Sequence, residues 1–140
     1  FKAILVGVGN LGKALMENFS FSEWGFNLEA AFDIKPDVIG TTVNSVTVLD
    51  EADLPAFLSQ NHIDVAVLCV PKGVAIKVTE KLTSCGIGAI WNFTNVELTE
   101  PNSPILVENM HFSDSLLSLS YYVSDNINEE TARQNRLNRM

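Results

Sequence analysis

Two uninterrupted apolar runs set the frame of this chain, "AILVGV" at residues 3–8 and "DVAVLCV" at 64–70. Neither alternates with polar residues, so both faces of each are expected to be covered, as in a parallel sheet flanked by helices. Shorter runs, "LEAAFD" (28–33), "VTVLD" (46–50), "GAIWNF" (88–93) and "PILVEN" (104–109), predict four further strands. Between the strands the apolar period lengthens. Leu11, Leu15 and Phe19 recur at four-residue steps with Ala14 alongside, and Asp50 or Asp53 is placed to cap a helix carrying Leu54, Phe57 and Leu58. After Pro71, residues 72–85 put Val74, Ile76, Val78 and Leu82 in a helical stretch that Gly86 ends. Strands alternating with helices imply right-handed crossovers, hence an α/β fold with a doubly wound, mostly parallel sheet and helices on both faces.

The last helical pattern, at 111–124, lays Phe112, Leu116, Leu119 and Val123 on one stripe, broadened by Leu117 and Tyr121 or Tyr122. So wide an apolar face either closes the free face of the sheet or packs against another subunit. Residues 125–140 are polar and are expected to form a flexible tail, which leaves 1–124 as one domain.

Charge and cysteine usage narrow the function classes. The net charge of −8 argues against nucleic-acid binding by this segment alone, because phosphate affinity rests on Lys and Arg. The longest apolar run, residues 65–70, is far short of the ~20 residues of a membrane span. Cys69 and Cys85 lie in an apolar run and at a helix end, which suits structural thiols in the reducing cytoplasm. His62 and His111 have no zinc-ligand spacing with either cysteine, so no metal site is expected. The chain begins at Phe1 without a signal-peptide pattern, and is expected to lack something upstream.

Chemistry concentrates where the first strand ends. Gly7-Val8-Gly9-Asn10-Leu11-Gly12 follows a buried-strand pattern and opens an apolar helix, the context a dinucleotide fingerprint requires and a Rossmann-like sheet supplies. Gly7 permits the tight turn, Gly9 lets the main chain approach a pyrophosphate, and Gly12 lets the helix lie close on the strand. An anion there faces unpaired N–H groups and the positive end of the helix dipole. Asp33 ends the next strand pattern, 21 residues after Gly12. Its carboxylate is placed to accept ribose hydroxyls and to repel a 2′-phosphate, which favours NADH and NAD over NADPH and NADP. Lys35 is either a phosphate partner that softens this preference or a solvated lysine. Val70 and Pro71 end the fourth strand pattern and Asn92 the fifth; these either line the cleft, with Asn92 facing a nicotinamide carboxamide, or are turn chemistry.

A dehydrogenase also needs a proton acceptor beside the cofactor and a region to hold substrate. His111 is the one plausible candidate, and it equally suits a helix cap. The pattern therefore predicts no catalytic residues and a chain that holds a dinucleotide without transforming it.

The segments "GVGNLGKAL", "AAFDIKPDVIG", "IDVAVLCVP", "GIGAIWNFTNVEL" and "ILVENMHFSDSLLSLSYYV" together resemble the Rex family of redox-sensing transcriptional repressors, over residues 2–124. The resemblance implies a homodimer in which the terminal helix is exchanged between subunits and DNA is bound by an upstream winged-helix domain absent from this chain. NADH binding would shift such a dimer to a DNA-releasing state. It further implies that Gly7 to Gly12 hold the pyrophosphate and Asp33 the adenosine ribose. Val70, Pro71, Asn92 and Phe93 would line the cleft, and Phe112 would approach the partner's nicotinamide. Two positions depart from the family pattern. Asn92-Phe93-Thr94-Asn95 stands where Asn-Phe-Ala-Pro is usual, implying a loop without its proline restraint. His111 stands where an aspartate is usual, implying altered coupling to DNA and a divergent paralogue. An NAD-dependent oxidoreductase fragment and a CoA-binding domain are the alternatives; Asp33 argues against the second.

Overall fold

A computed structural model of the chain describes residues 1–98 and 105–110. Seven strands form one sheet in the order β3-β4-β2-β1-β5-β6-β7. They are β1 (Lys2–Val6), β2 (Asn27–Asp33), β3 (Thr42–Val43), β4 (Val46–Asp50), β5 (Val65–Leu68), β6 (Ala89–Asn92) and β7 (Leu106–Asn109). Every pairing is parallel except the short β3–β4 hairpin. Among the described residues three α-helices accompany them: α1 (Asn10–Asn18), α2 (Leu54–Gln60) and α3 (Ala75–Ser84).

The apolar runs are continuous because alternate residues serve two layers. Ile4 and Val6 of β1, Phe32 of β2 and Leu68 of β5 pack with Leu54 of α2 and with Val78 and Leu82 of α3. Leu5 points the other way, toward α1, where a Cβ on Gly12 would stand 3.3 Å from its side chain. Leu82 is fully buried, so Leu82→Ala is expected to cost about 2–5 kcal/mol.

The predicted strands are all present, and β1, β5 and β6 end earlier than their apolar runs. Gly7, at φ +101°, turns the chain out of β1, and Cys69 and Val70 likewise continue past β5 as loop. The hairpin strand β3 is absent from the sequence expectation, since two residues carry no period. Its turn is built by Asn44 (φ 50°) and Ser45 (φ 69°), both left-handed as a two-residue hairpin loop requires. The expected helix over 72–85 begins with a single tighter turn at Lys72–Val74 and stops before Gly86, at φ +91°. The predicted helix 111–124, with Phe112 and His111, and the tail 125–140 lie outside the described residues.

Strand order places the site. From β1 the chain steps outward to β2 and β4, whereas β5, β6 and β7 step outward on the other side. The order therefore reverses between β1 and β5. Loops leaving the carboxyl ends of these neighbours part there and leave a crevice.

Candidate functional site

The glycine loop leaves β1 at this crevice. Its turn is held by the Gly7 N–H, which donates to the Phe32 carbonyl at 2.9 Å, and by the Val8 N–H, which donates to Asp33 Oδ2 at 2.7 Å. Helix α1 then starts with Gly9 as its cap residue and no side-chain cap. Its first amide groups are thereby left to an external acceptor.

The three glycines stand for two different reasons. At Gly7, φ is +101° and a Cβ would fall 2.6 Å from the Cys69 carbonyl carbon. At Gly12 a Cβ would fall 1.9 Å from the Gly7 carbonyl oxygen. Both positions are demanded by the fold. Gly9 differs, because its φ of −86° is open to any residue and a Cβ there would meet nothing within 4 Å. Neither backbone nor packing among the described residues calls for glycine at 9, which leaves room there for a ligand to approach the main chain.

A cleft of about 330 Å³ opens beside this loop. Gly7, Gly9 and Leu11 form its floor, Asp33, Ile34 and Lys35 its β2 end, Val70 and Pro71 its middle, and Phe93 and Thr94 its β6 end. Val8 and Asn10 line a neighbouring, more polar hollow that also reaches Gly9, Lys13 and Lys35. The structure thus brings together eight of the sequence-predicted residues, namely Gly7, Gly9, Leu11, Asp33 and Lys35 with Val70, Pro71 and Phe93, around one crevice.

Asp33 is nearly buried, and its Oδ1 accepts the N–H groups of Ile34 (2.7 Å) and Lys35 (3.0 Å). With Val8 on Oδ2, three of the roughly four acceptor positions of the carboxylate are filled by backbone. The remaining one, on Oδ2, matches a single hydroxyl donor. The carboxylate therefore also holds the glycine loop in place, a role its spacing did not reveal.

Of the two readings the sequence left open for Asn92, its surroundings match turn chemistry: it is 1% exposed, and the four hydrogen-bonding positions of its amide are engaged by described residues. Its Nδ2 donates to the Val96 carbonyl and to Asn109 Oδ1, and its Oδ1 accepts from the Thr94 N–H and hydroxyl. It does not reach the cleft surface; Phe93 and Thr94 do. The loop is also not left loose by its departure from the family pattern. Asn95 sits at φ 63°, which proline, held near −65°, cannot adopt, and the Thr94 hydroxyl supplies the restraint instead.

Sequence reasoning missed Ile34 and Val74. Ile34 is 67% exposed, and together with Val74 it gives the β2 end an apolar surface suited to a flat base. A large apolar side chain just after a strand-ending acid was the available signal. Cys69 also borders the cleft, with its thiol pushed up to about 12 by burial, so it is held protonated and unreactive. The uncapped helix start, the space at Gly9, the single open acceptor on Asp33 and the apolar Ile34 fit the pyrophosphate, ribose and base of a dinucleotide.

The model of the CoA binding domain family matches residues 1–96. The redox-sensing transcriptional repressor Rex of Caldanaerobacter subterraneus subsp. tengcongensis is 42% identical over 125 residues, which are 89% of this chain and 55% of that protein. RSP, a Rex-family repressor solved in complex with β-NADH, superposes with a TM-score of 0.78 at 37% identity, covering 94% of this chain and 63% of its own. RSP in complex with β-NAD+ and operator DNA gives 0.77 at 37% identity, over 95% and 61%. The chain spans little more than half the length of the curated relatives it matches.

Proposed function

The chain belongs to the CoA binding domain family, and from that premise we propose that it is the NAD(H)-binding regulatory domain of a redox-responsive, Rex-like transcriptional repressor. The carrying observation is Gly9, a glycine that the chain's own packing does not need, set at an uncapped helix start within a cleft that ends in Asp33. In this reading the amides at the start of α1 hold the pyrophosphate. Asp33 Oδ2 accepts one adenosine ribose hydroxyl, Ile34 and Val74 flank the adenine, and Phe93 and Thr94 wall the nicotinamide end. The carboxylate disfavours a ribose phosphate, which selects NAD(H) over NADP(H) and over CoA.

The domain is read as a sensor and not an enzyme. Bound NADH or NAD+ supplies a signal through its redox state, and no bond to it is made or broken. Around the cleft Asp33 is engaged by backbone and Cys69 is held as a thiol. The similarity to RSP, solved with both nucleotides and with operator DNA, supports this reading. In this reading the protein works in the cytoplasm as a homodimer, with DNA held by a region outside this chain. NADH shifts the dimer toward a DNA-releasing geometry by binding that state more tightly.

Calorimetric titration with NADH, NAD+, NADPH and CoA tests the proposal. NADH is expected to bind, with NADPH weaker by about tenfold or more. No heat from NADH or NAD+ at about millimolar concentration, where even a weak site of ~4 kcal/mol fills, would sink it. Displacement of NADH by CoA at similar concentration would return the site to a CoA-binding role.

A further inference from the structure

The β6 end of the cleft is built as a clasp. Asn92 closes β6, and its side chain joins two pieces of chain: its own loop at Thr94 and Val96, and Asn109 at the end of β7, 17 residues on. Asn109 Oδ1 also accepts the Leu98 N–H at 3.2 Å, and the Met110 N–H donates to the Asn92 carbonyl at 2.8 Å. The Thr94 hydroxyl closes the arrangement by donating to Asn92 Oδ1 at 2.7 Å while accepting the Val96 N–H at 3.3 Å. Thr94 is 5% exposed, yet it borders the cleft next to Phe93. Phe93 in turn rests against Trp91, with ring centroids 4.9 Å apart, and Trp91 against Phe19 just past α1.

We infer that Asn92, Thr94 and Asn109 are positioning residues for the nicotinamide end: they fix the Phe93–Thr94 wall and join it to the end of β7, so that occupancy of that end tightens the chain at Leu98 and Met110. This rests on the reading of the cleft as an NAD(H) site. The physical reason is that the clasp is fully satisfied, with every position of the Asn92 amide engaged. Such a network has few alternative arrangements, so a ligand that pins one member restrains the others. The adenosine end, fixed by Asp33 on the backbone of Val8, Ile34 and Lys35, shares no hydrogen bond of the clasp among the described residues.

Titration with NADH and with ADP-ribose, which lacks the pyridine ring, separates the two ends, using the wild-type chain, Thr94→Val and Thr94→Ser. Thr94→Val preserves volume and removes the hydroxyl; it is expected to weaken NADH about tenfold and ADP-ribose less than about twofold, while Thr94→Ser restores NADH binding. Amide hydrogen exchange on the wild-type chain is expected to slow at Val96, Leu98 and Met110 with NADH and not with ADP-ribose. This readout does not depend on any variant folding. Equal weakening of both ligands in Thr94→Val, or unchanged exchange at those amides with NADH bound, overturns the clasp and leaves the NAD(H) reading standing. A wild-type chain that binds neither ligand removes both.

Discussion

At the β2 end of the cleft, a carboxylate accepts three backbone N–H groups from its own neighbourhood and from the glycine loop, which leaves one of its roughly four acceptor positions. At the β6 end, a carboxamide has all four positions taken by protein, and the cleft is lined by an aromatic ring and a threonine. Both residues end a strand at the carboxyl side of the sheet, and the sequence favoured a ligand for Asp33 while leaving Asn92 open between ligand and turn. The difference teaches that an acceptor-only group has valence left to recognise a hydroxyl, whereas an amide with matched donors and acceptors is readily consumed as structure. On the proposed function, one end would recognise by chemistry and the other by shape.

The sharpest way to break this comparison is at the loop between the two ends. Gly12→Ala puts a methyl 1.9 Å from a backbone oxygen and is expected to cost about 3 kcal/mol or more, read as a fall in the denaturation midpoint. Gly9→Ala should leave stability within about 1 kcal/mol yet weaken NADH about tenfold or more, since only a ligand occupies that space. If both variants destabilise alike, the division of the glycines into structural and ligand-facing is wrong.

Asn92→Leu should come next. It strands the Thr94 donors and the Val96 carbonyl in a buried place, for an expected loss of about 2–3 kcal/mol by urea denaturation. A loss below about 0.5 kcal/mol, the range of ordinary surface changes, would show that Asn92 is not the tie described.

Asp33→Asn sharpens the other end. It removes one charged acceptor, and the expected cost is about 1–2 kcal/mol in stability. Its clearer signature is in selectivity, with the NADPH to NADH affinity ratio moving toward one. An unchanged ratio would place the discrimination elsewhere, with Lys35 the nearest alternative.

The smallest effect is expected from Cys69, between the two ends. Burial raises its thiol to about 12, so above about pH 9 the unfolded chain loses a proton that the folded chain keeps. Stability from this group is complete below that pH and falls by up to ~1.4 kcal/mol per unit as pH rises toward 12. Comparing urea midpoints of wild type and Cys69→Ala between about pH 8 and about pH 9.5, where the loss stays below about 1 kcal/mol, checks this, and parallel pH profiles would contradict it.

Much of the architecture was legible because parallel strands covered on both sides are largely apolar, and here two of the seven announced themselves as unbroken runs and four more as shorter ones. The glycine loop and Asp33 were legible because the turn, the close helix and the acid recur at short spacing along the chain. What spacing could not distinguish was Gly9 from Gly12, or an asparagine facing a ligand from one facing its own loop. Those outcomes depend on which atoms from distant segments arrive within about 3 Å, the range of a hydrogen bond. Asn109 lies 17 residues from Asn92, and only the pairing of β6 with β7 brings their side chains together. The sequence by itself determined the sheet, the turn and the presence of a cradle. The tertiary structure decided which side chains remain free to bind, because hydrogen-bonding capacity is finite and the fold draws on it first.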